Sequence, residues 1–223
     1  MGSKNKIAKY ILPIMLAEKG DRTWVEPFVG GANMIDKIDG YRIGNDLHFY
    51  LISLLKALQN GFVPPTEITR EFYYYIKSGE ENFTPELIGF VGFLCSFGGK
   101  WWNGYAFNKK GDNYAERGSR VLVKQAENFK DVVFTCGSYL DLDIPDNSII
   151  YCDPPYNNTT KYKDSFDSEK FYQWCRDMAN KNHIVYVSEY DCPKDFTLVK
   201  TVEVKSTLNK NSQDIKFEKL FRL

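Results

Sequence analysis

A short apolar segment that breaks at a glycine pair constrains the fold of this chain more than any other sequence feature. Residues 24–28 predict a buried strand, which is followed directly by Gly30 and Gly31. A second strand is predicted over residues 41–44 and leads to the acid Asp46. A strand, a glycine turn and a second strand that ends at an acid are typical of α/β folds that bind nucleotides at the carboxyl ends of their strands.

The remaining patterns indicate that helices interrupt this α/β arrangement. Helices are predicted over residues 7–15, 32–38, 47–58, 66–77, 85–97, 113–129 and 168–180. Further strands are predicted over residues 132–135, 148–152, 184–188, 199–204 and 216–221. Because only helices are predicted in the middle of the chain, we expect residues 1–59 and 131–223 to form one α/β domain. Residues 60–130 are then an inserted subdomain.

The apolar run 149–152 leads into the tetrapeptide Asp153, Pro154, Pro155 and Tyr156. These residue types suit chemistry on the exocyclic amino group of a base, which is a poor nucleophile because its lone pair is delocalised into the ring. The Asp153 carboxylate and a carbonyl of the stiff proline turn, that of Pro154, can accept its two hydrogens and localise the lone pair. Tyr156 can stack on the base. The alternative is a plain exit from a strand, since Asp and Pro are ordinary turn residues.

These motifs, in this order, resemble those of the Dam-type DNA adenine methyltransferases, which include small bacterial and bacteriophage members. The E-P-F-x-G-G motif of that family matches residues 26–31, and its Gly-x-Lys motif matches residues 2–4. The acid that the family has after its second strand, in an N-D or A-D pair, matches Asp46 in the pair of residues 45–46. The resemblance extends from residue 2 to about residue 193. It implies a Rossmann-like, S-adenosylmethionine-dependent methyltransferase sheet with an inserted, mostly helical DNA-recognition subdomain.

The resemblance also implies the residues of the site. The catalytic residues are expected to be Asp153, Pro154, Pro155 and Tyr156. The residues expected to contact S-adenosylmethionine are Lys4, Glu26, Phe28, Gly30, Gly31, Asp46, Ser138, Tyr139 and Asp153. Glycines allow the backbone to approach a cofactor closely, and an acid after the second strand can accept hydrogen bonds from ribose hydroxyls. Each residue alone also has an ordinary explanation, such as a turn, a helix N-cap or a surface lysine.

A loop rich in Gly and Trp, residues 97–107, stands where the family has a DNA-contacting hairpin with an aromatic-Asn-Gly triplet. The residues expected to bind DNA are Lys100, Trp101, Trp102, Asn103, Lys109 and Lys110. A base inside a duplex must be flipped out before it is methylated, and a tryptophan could fill the gap. Asn103 could read a base edge and the lysines could bind phosphates. The alternative is a tryptophan pair packed in the core of the subdomain. Family members that read GATC have an arginine where Phe107 falls, so the resemblance does not extend to that target sequence.

The charge balance restricts any contact with DNA to a local patch. The chain has 29 basic and 29 acidic residues, but residues 100–130 contain seven basic residues against three acidic ones.

Its five cysteines form no C-x-x-C pair and it has two histidines, so no metal site is expected. No apolar run is long enough to cross a membrane. A cytoplasmic location in a bacterial or phage-infected bacterial cell is expected.

Double-stranded DNA is therefore the expected partner, and a cognate restriction endonuclease that acts separately would be compatible with this role. Two other functions stay open on the sequence alone. The same tetrapeptide could serve methylation of RNA, of a protein amide or of a cytosine amino group. The chain could also be a catalytically silent DNA-binding or inhibitor module on a methyltransferase scaffold.

Overall fold

The computed structural model describes residues 4–155, 166–205 and 215–223. Within these ranges it contains one seven-stranded sheet. The strands are β1 (Thr23–Glu26), β2 (Arg42–Asp46), β3 (Val132–Cys136), β4 (Ser148–Cys152), β5 (Ile184–Glu189), β6 (Thr197–Lys205) and β7 (Ile215–Arg222). Their order is β3-β2-β1-β4-β5-β7-β6, and β7 is antiparallel to both of its neighbours while the other pairs are parallel. The prediction of a Rossmann-like α/β sheet is confirmed.

Six α-helices accompany the sheet in the described part of the chain. They are α1 (Asn5–Lys19), α2 (Phe49–Gln59), α3 (Arg70–Ser78), α4 (Pro85–Leu94), α5 (Tyr114–Ala126) and α6 (Ser168–Asn180). Three of them begin at side-chain caps, in which Thr69, Asn113 and Asp167 accept a hydrogen bond from a main-chain N–H three residues later. Polar residues before apolar runs therefore set where these helices begin.

The helix predicted over residues 32–38 is wrong. The segment contains only a single 3₁₀ turn, Ile35–Lys37, because Ala32 adopts a left-handed conformation with φ 55°. Its apolar side chains are nevertheless buried, and Arg42 donates a hydrogen bond of 3.0 Å from Nη1 to the carbonyl of Ile35. The segment thus fills the core as an irregular loop.

The helices of the insertion, α3, α4 and α5, pack against α2 as well as against one another. Apolar residues of α3, α4 and α5 belong to the same buried cluster as residues of α1, α2 and the sheet. A second cluster lies between the sheet and α6. The separation of residues 60–130 as a distinct subdomain stays a prediction, since their core is continuous with that of the sheet. None of the helices in the described ranges is long and apolar enough to span a membrane.

Candidate active site

Four acidic residues lie at the carboxyl edge of the parallel strands. Glu26 ends β1, Asp46 ends β2, Glu189 ends β5, and Asp153 directly follows β4. Because the carboxyl ends of parallel strands meet at one edge of a sheet, residues that are far apart in sequence come together there. This edge is therefore the candidate site. In the described ranges, no group of three or more His, Cys, Asp or Glu residues is arranged to hold a metal ion.

The carboxylate of Asp46 ties the glycine turn after β1 to the end of β2. Its Oδ2 accepts a hydrogen bond of 3.0 Å from the Gly30 main-chain N–H, and its Oδ1 accepts one of 2.9 Å from that of His48. Gly30 has φ 51°, a left-handed conformation that favours glycine. Burial raises the pKa of Asp46, although these two N–H donors act in the opposite direction. The turn and the acid predicted to contact the cofactor are thus adjacent.

Asn45 links the loops that follow β1 and β3. Its side-chain amide donates to the carbonyls of Pro27 and Gly137, at 3.2 and 2.9 Å, and its Oδ1 accepts from the Thr135 hydroxyl at 2.9 Å. No role of its own was predicted for Asn45, because its three partners lie in separate parts of the chain. The residue fixes the relative positions of the loops that line the edge.

Lys4 lies beside Asp153, as expected if both belong to one site. Its Nζ is 3.1 Å from Asp153 Oδ1 and 3.0 Å from Glu218 Oε2, and its side chain is buried. Burial disfavours the ammonium, but the two carboxylates outweigh this effect and the pKa of Lys4 is raised. Glu218 was not among the predicted site residues. No local pattern distinguishes it, because its contact with Lys4 joins the two ends of the chain.

Two of the acids at the edge have pKa values raised from the ordinary glutamate value toward neutral pH. Burial raises the pKa of Glu26 to about 8. A hydrogen bond of 2.8 Å from Trp24 Nε1 to Glu26 Oε1 lowers this pKa, but by less. Burial also raises the pKa of Glu189 to about 7, with Asp153 and Glu218 contributing in the same direction. Both side chains are buried. The edge can therefore take up a positive charge by releasing protons.

The predicted contacts Phe28, Ser138 and Tyr139 lie in the loops after β1 and β3. The rings of Phe28 and Tyr139 are half-buried, with centroids 5.2 Å apart, and both also pack against Phe171. The Ser138 hydroxyl accepts a hydrogen bond of 3.2 Å from the Leu140 N–H. Phe28 and Tyr139 therefore lie between the carboxyl edge of the sheet and α6. The contact of Phe28, Ser138 and Tyr139 with a cofactor stays a prediction.

Asp153, Pro154 and Pro155 of the predicted catalytic tetrapeptide directly follow β4. Pro154 is buried, Pro155 is half-buried, and the Asp153 side chain is 20% exposed. Tyr156 lies outside the described residues, so its predicted role in stacking stays a prediction. The carboxylate of Asp153 is therefore both fixed by Lys4 and open to a substrate.

Trp101 is partly buried and its ring packs against the core, so much of its surface is already in contact with the protein. Its ring lies 4.3 Å from the ring of His48 and is stacked at 5.4 Å on Tyr50. It also fits so closely over Gly92 that a Cβ there would lie 2.3 Å from Trp101 Cζ3. These contacts fit the alternative in which the tryptophans pack against the core, and the predicted contact of Trp101 with DNA stays a prediction. Because His48 follows Asp46 closely, Trp101 also holds the loop next to the carboxyl edge.

Trp102 is likewise held by the insertion. Its Nε1 donates a hydrogen bond of 2.6 Å to Glu80 Oε1, and its ring lies 5.1 Å from that of Tyr73 in an edge-on arrangement. Trp102 is also partly buried, and its predicted contact with DNA stays a prediction. The other residues predicted to bind DNA are exposed, namely Lys100, Asn103, Lys109 and Lys110. Phe97, which the prediction missed, is 60% exposed in the same loop, and the Asn103 amide donates to its carbonyl at 3.2 Å.

The profile of the D12 class N6 adenine-specific DNA methyltransferases matches residues 1–205. The chain belongs to this family. The matched segment contains all the residues that were predicted to form the site, but not Glu218.

Two relatives support the assignment to the D12 class. The Type II methyltransferase M.FokI of Planomicrobium okeanokoites is 26% identical over 203 residues, which are 79% of this chain and 31% of that protein. The DNA adenine methylase of Escherichia coli (strain K12) is 28% identical over 178 residues, which are 66% of this chain and 63% of that protein. The chain thus spans less than two thirds of the length of these relatives.

Among solved structures, an RNA methyltransferase from Salinibacter ruber in complex with S-adenosyl-L-homocysteine aligns with a TM-score of 0.46 and 9% identity. The alignment covers 100% of this chain and 92% of that one. TrmN from Thermus thermophilus aligns with a TM-score of 0.42 and 11% identity, over 98% of this chain and 48% of that one.

The raised pKa of Glu26 predicts how the stability of this D12-class chain depends on pH. The folded protein keeps the Glu26 proton to about pH 8, whereas the unfolded chain releases it near the ordinary value of 4.5. The folded state therefore binds more protons between these values, and the free energy of unfolding should fall as the pH rises through them. One proton corresponds to a slope of about 1.4 kcal/mol per pH unit.

Urea unfolding at a series of pH values from 5 to 8.5 would measure this slope. Glu26→Gln keeps an acceptor for Trp24 Nε1 but removes the titration of the carboxyl group. The free energy of unfolding of the variant should therefore fall less steeply with pH, by up to about 1.4 kcal/mol per pH unit. If wild type and variant had the same slope, Glu26 would be ionised in the folded protein at neutral pH.

Proposed function

We propose that the chain transfers a methyl group from S-adenosylmethionine to the exocyclic amino nitrogen of an adenine that is flipped out of duplex DNA. The proposal rests above all on the placement of Asp153. Its partly exposed carboxylate follows β4 at the acidic edge of the sheet, is fixed by Lys4, and precedes two prolines. Membership of the D12 class supports the choice of adenine over other amino groups.

The carboxyl edge fits S-adenosylmethionine in shape and charge. A Cβ at Gly30 would meet nothing within 4 Å, so the turn after β1 faces open space that a ligand can enter. Asp46 lies where a carboxylate can accept hydrogen bonds from ribose hydroxyls, and Glu26 lies at the end of the adjacent strand. When bound, the cofactor supplies a methyl group on a positively charged sulfonium. Carboxyl groups at this edge suit such a cation.

Asp153 and the carbonyl of Pro154 would hold the target base. The carboxylate accepts one hydrogen of the amino group and the carbonyl accepts the other, which directs the nitrogen lone pair out of the ring. The prolines fix φ on either side of that carbonyl, so the turn loses little entropy when it binds the base. Tyr156 would stack on the purine face. Catalysis by this chain is then mainly positioning.

The loop of residues 97–107 would contact the DNA. We assign Lys100, Lys109 and Lys110 to phosphates and Asn103 to a base edge, because all four are exposed. Phe97 and Phe107 are the exposed aromatic residues of this loop. We assign the wedge to Phe97, because Trp101 and Trp102 are partly buried against neighbouring rings and the Phe107 ring lies 5.7 Å from the Arg70 guanidinium. A bacterial or phage-infected cytoplasm, with or without a cognate endonuclease, is the setting that such a substrate implies.

Mass spectrometry of nucleosides would test the proposed reaction. The protein is incubated with isotope-labelled S-adenosylmethionine and mixed-sequence duplex DNA, which is then digested. We expect labelled N6-methyldeoxyadenosine. Methylcytidine, methylated RNA or a methylated protein amide in parallel reactions would instead identify another substrate. Failure to bind S-adenosylmethionine at millimolar concentration in calorimetry would indicate the catalytically silent module.

A duplex with an unpaired target adenine would test Phe97 as the wedge. Phe97→Ala should lower kcat/KM about tenfold on a fully paired duplex, because flipping loses the side chain that fills the gap. The loss should largely disappear when the adenine lies opposite an abasic site, where no pair has to be broken. Tyr41→Ala removes another exposed aromatic residue, just before β2 and away from the loop, and serves as the control. Equal losses on both duplexes would show that Phe97 has another role.

A further inference from the structure

Glu218 reaches the active edge although it belongs to the last strand of the sheet. In the antiparallel pairing of β5 with β7, Glu189 is opposite Lys219, so the middle of β7 lies beside the carboxyl end of β5. Glu218 therefore lies next to the strand ends that form the site. It is outside the segment that the family profile matches, which ends at residue 205.

One ammonium group connects Glu218 to Asp153. The Lys4 Nζ is 3.0 Å from Glu218 Oε2 and 3.1 Å from Asp153 Oδ1, and the Lys4 and Glu218 side chains are only 9% and 18% exposed. Hydrogen bonds between such charged groups are strong when solvent is largely excluded. Lys4 is therefore shared between two carboxylates in a fixed position.

The backbone around this contact is anchored on both sides. Lys4 directly precedes α1, whose buried residues Ile7 and Ile11 lie in the main core. Glu218 is paired across the β6–β7 ladder with Val202, which is buried in the same core. Neither end of the contact is on a loose segment of chain. The contact between Glu218 and Lys4 consequently has a defined geometry, and Lys4 can hold the Asp153 carboxylate in one orientation.

The charge of Glu218 also affects what Asp153 can do. A lysine paired with Asp153 alone would draw the carboxylate's electrons toward itself and weaken it as an acceptor for the amino group of a base. A second carboxylate takes part of that interaction. It also offsets the cost of burying an ammonium, which is high unless the charge is fully paired.

We infer that Glu218 is a positioning residue for methyl transfer, which holds the Lys4 ammonium against Asp153 and shares its charge so that Asp153 stays a strong acceptor for the target amine. The inference rests on the proposed function. Glu218 acts through Lys4, so its effect should depend on the presence of the lysine.

A double-mutant cycle tests this dependence. Glu218→Gln keeps the size of the side chain and removes its charge, and should lower kcat about tenfold while the KM for S-adenosylmethionine changes less than about threefold. In a Lys4→Met background the same substitution should have no further effect, because the group through which it acts is gone. Glu203→Gln, an exposed charge on the same hairpin, is the matched control and should keep wild-type activity. Additive losses in the cycle would overturn the inference.

A measurement without turnover separates this inference from the proposed function. The rate at which acetic anhydride acetylates Lys4 at pH 8, followed by mass spectrometry, should rise several-fold in Glu218→Gln and not in Glu203→Gln, because loss of the carboxylate lowers the pKa of the amine. An unchanged rate would overturn the role of Glu218 even in an active enzyme. If Glu218→Gln showed this faster acetylation but the wild-type protein transferred no methyl group, the proposed function would be overturned. The contact of Lys4 with the two carboxylates would then have no role in methyl transfer.

Discussion

Replacement of Asp153 by asparagine should lower the rate of methyl transfer by about 10²- to 10³-fold, the range seen when a preorganised polar contact to the reacting group is lost. Asparagine has almost the same shape but lacks the negative charge that accepts the amino hydrogen. Its amide can also present N–H groups to the base in place of an acceptor. Single-turnover transfer of a labelled methyl group to duplex DNA would measure the loss directly.

Binding of S-adenosylmethionine should survive in Asp153→Asn, because Asp46 ends β2 and the Gly30 turn follows β1, both apart from β4. Calorimetry with the cofactor would show this. Asp146→Asn is the matched control, since Asp146 is exposed and precedes β4 at the opposite end of the same strand. A variant at Asp153 that methylates DNA at the wild-type rate would exclude the carboxylate from the reaction.

The strands and most helices could be predicted because their patterns depend on nearby residues. The strand β4 is buried along its whole length and α6 begins at the side-chain cap Asp167, and both were predicted with the bounds that the structure shows. A strand buried on both faces is a continuous apolar run, and a capped amphipathic helix repeats about every 3.6 residues. Such signals are complete within the segment itself.

The error at residues 32–38 has the opposite cause. Buried residues such as Met34, Ile35 and Ile38 occur at spacings that also fit a helix. The left-handed conformation of Ala32 interrupts it, and this conformation depends on how the segment packs against the sheet and Arg42. Apolar spacing reports burial, but it does not distinguish a helix from an irregular loop that fills the same volume.

The site was predictable only where the motif residues themselves meet. Lys4, Asp46 and Asp153 were expected at one edge. The parallel order of the strands brings Asp46 and Asp153 there, and the start of α1 places Lys4 beside Asp153. The partial burial of Trp101 and Trp102 was not predictable from the loop itself. Trp101 packs over Gly92 in α4, and Trp102 donates a hydrogen bond to Glu80 in the turn after α3. Glu218 contacts a residue 214 positions away through the pairing of the last strands. Contacts of this kind are set by register, and no local pattern records them.

The close packing of α4 on α2 predicts the largest change in stability. Gly89 lies so near α2 that an added Cβ would be 2.2 Å from the main-chain oxygen of Tyr50 and 3.2 Å from Leu54 Cβ. A backbone oxygen cannot rotate away as a side chain can, so the helices must separate. Gly89→Ala should therefore lower the free energy of unfolding by about 3 kcal/mol, although alanine in a helix normally adds up to about 1 kcal/mol.

The same substitution should weaken binding of S-adenosylmethionine, because α2 begins three residues after Asp46 and moves with it. Urea unfolding and calorimetry with the cofactor would measure the two effects on one preparation. Gly137→Ala is the matched control for the unfolding measurement alone, since a Cβ there meets nothing within 4 Å, and it should leave stability unchanged or slightly higher. If Gly89→Ala were as stable as the wild type, α2 and α4 could move apart without cost. The end of β2 would then not depend on the insertion for its position.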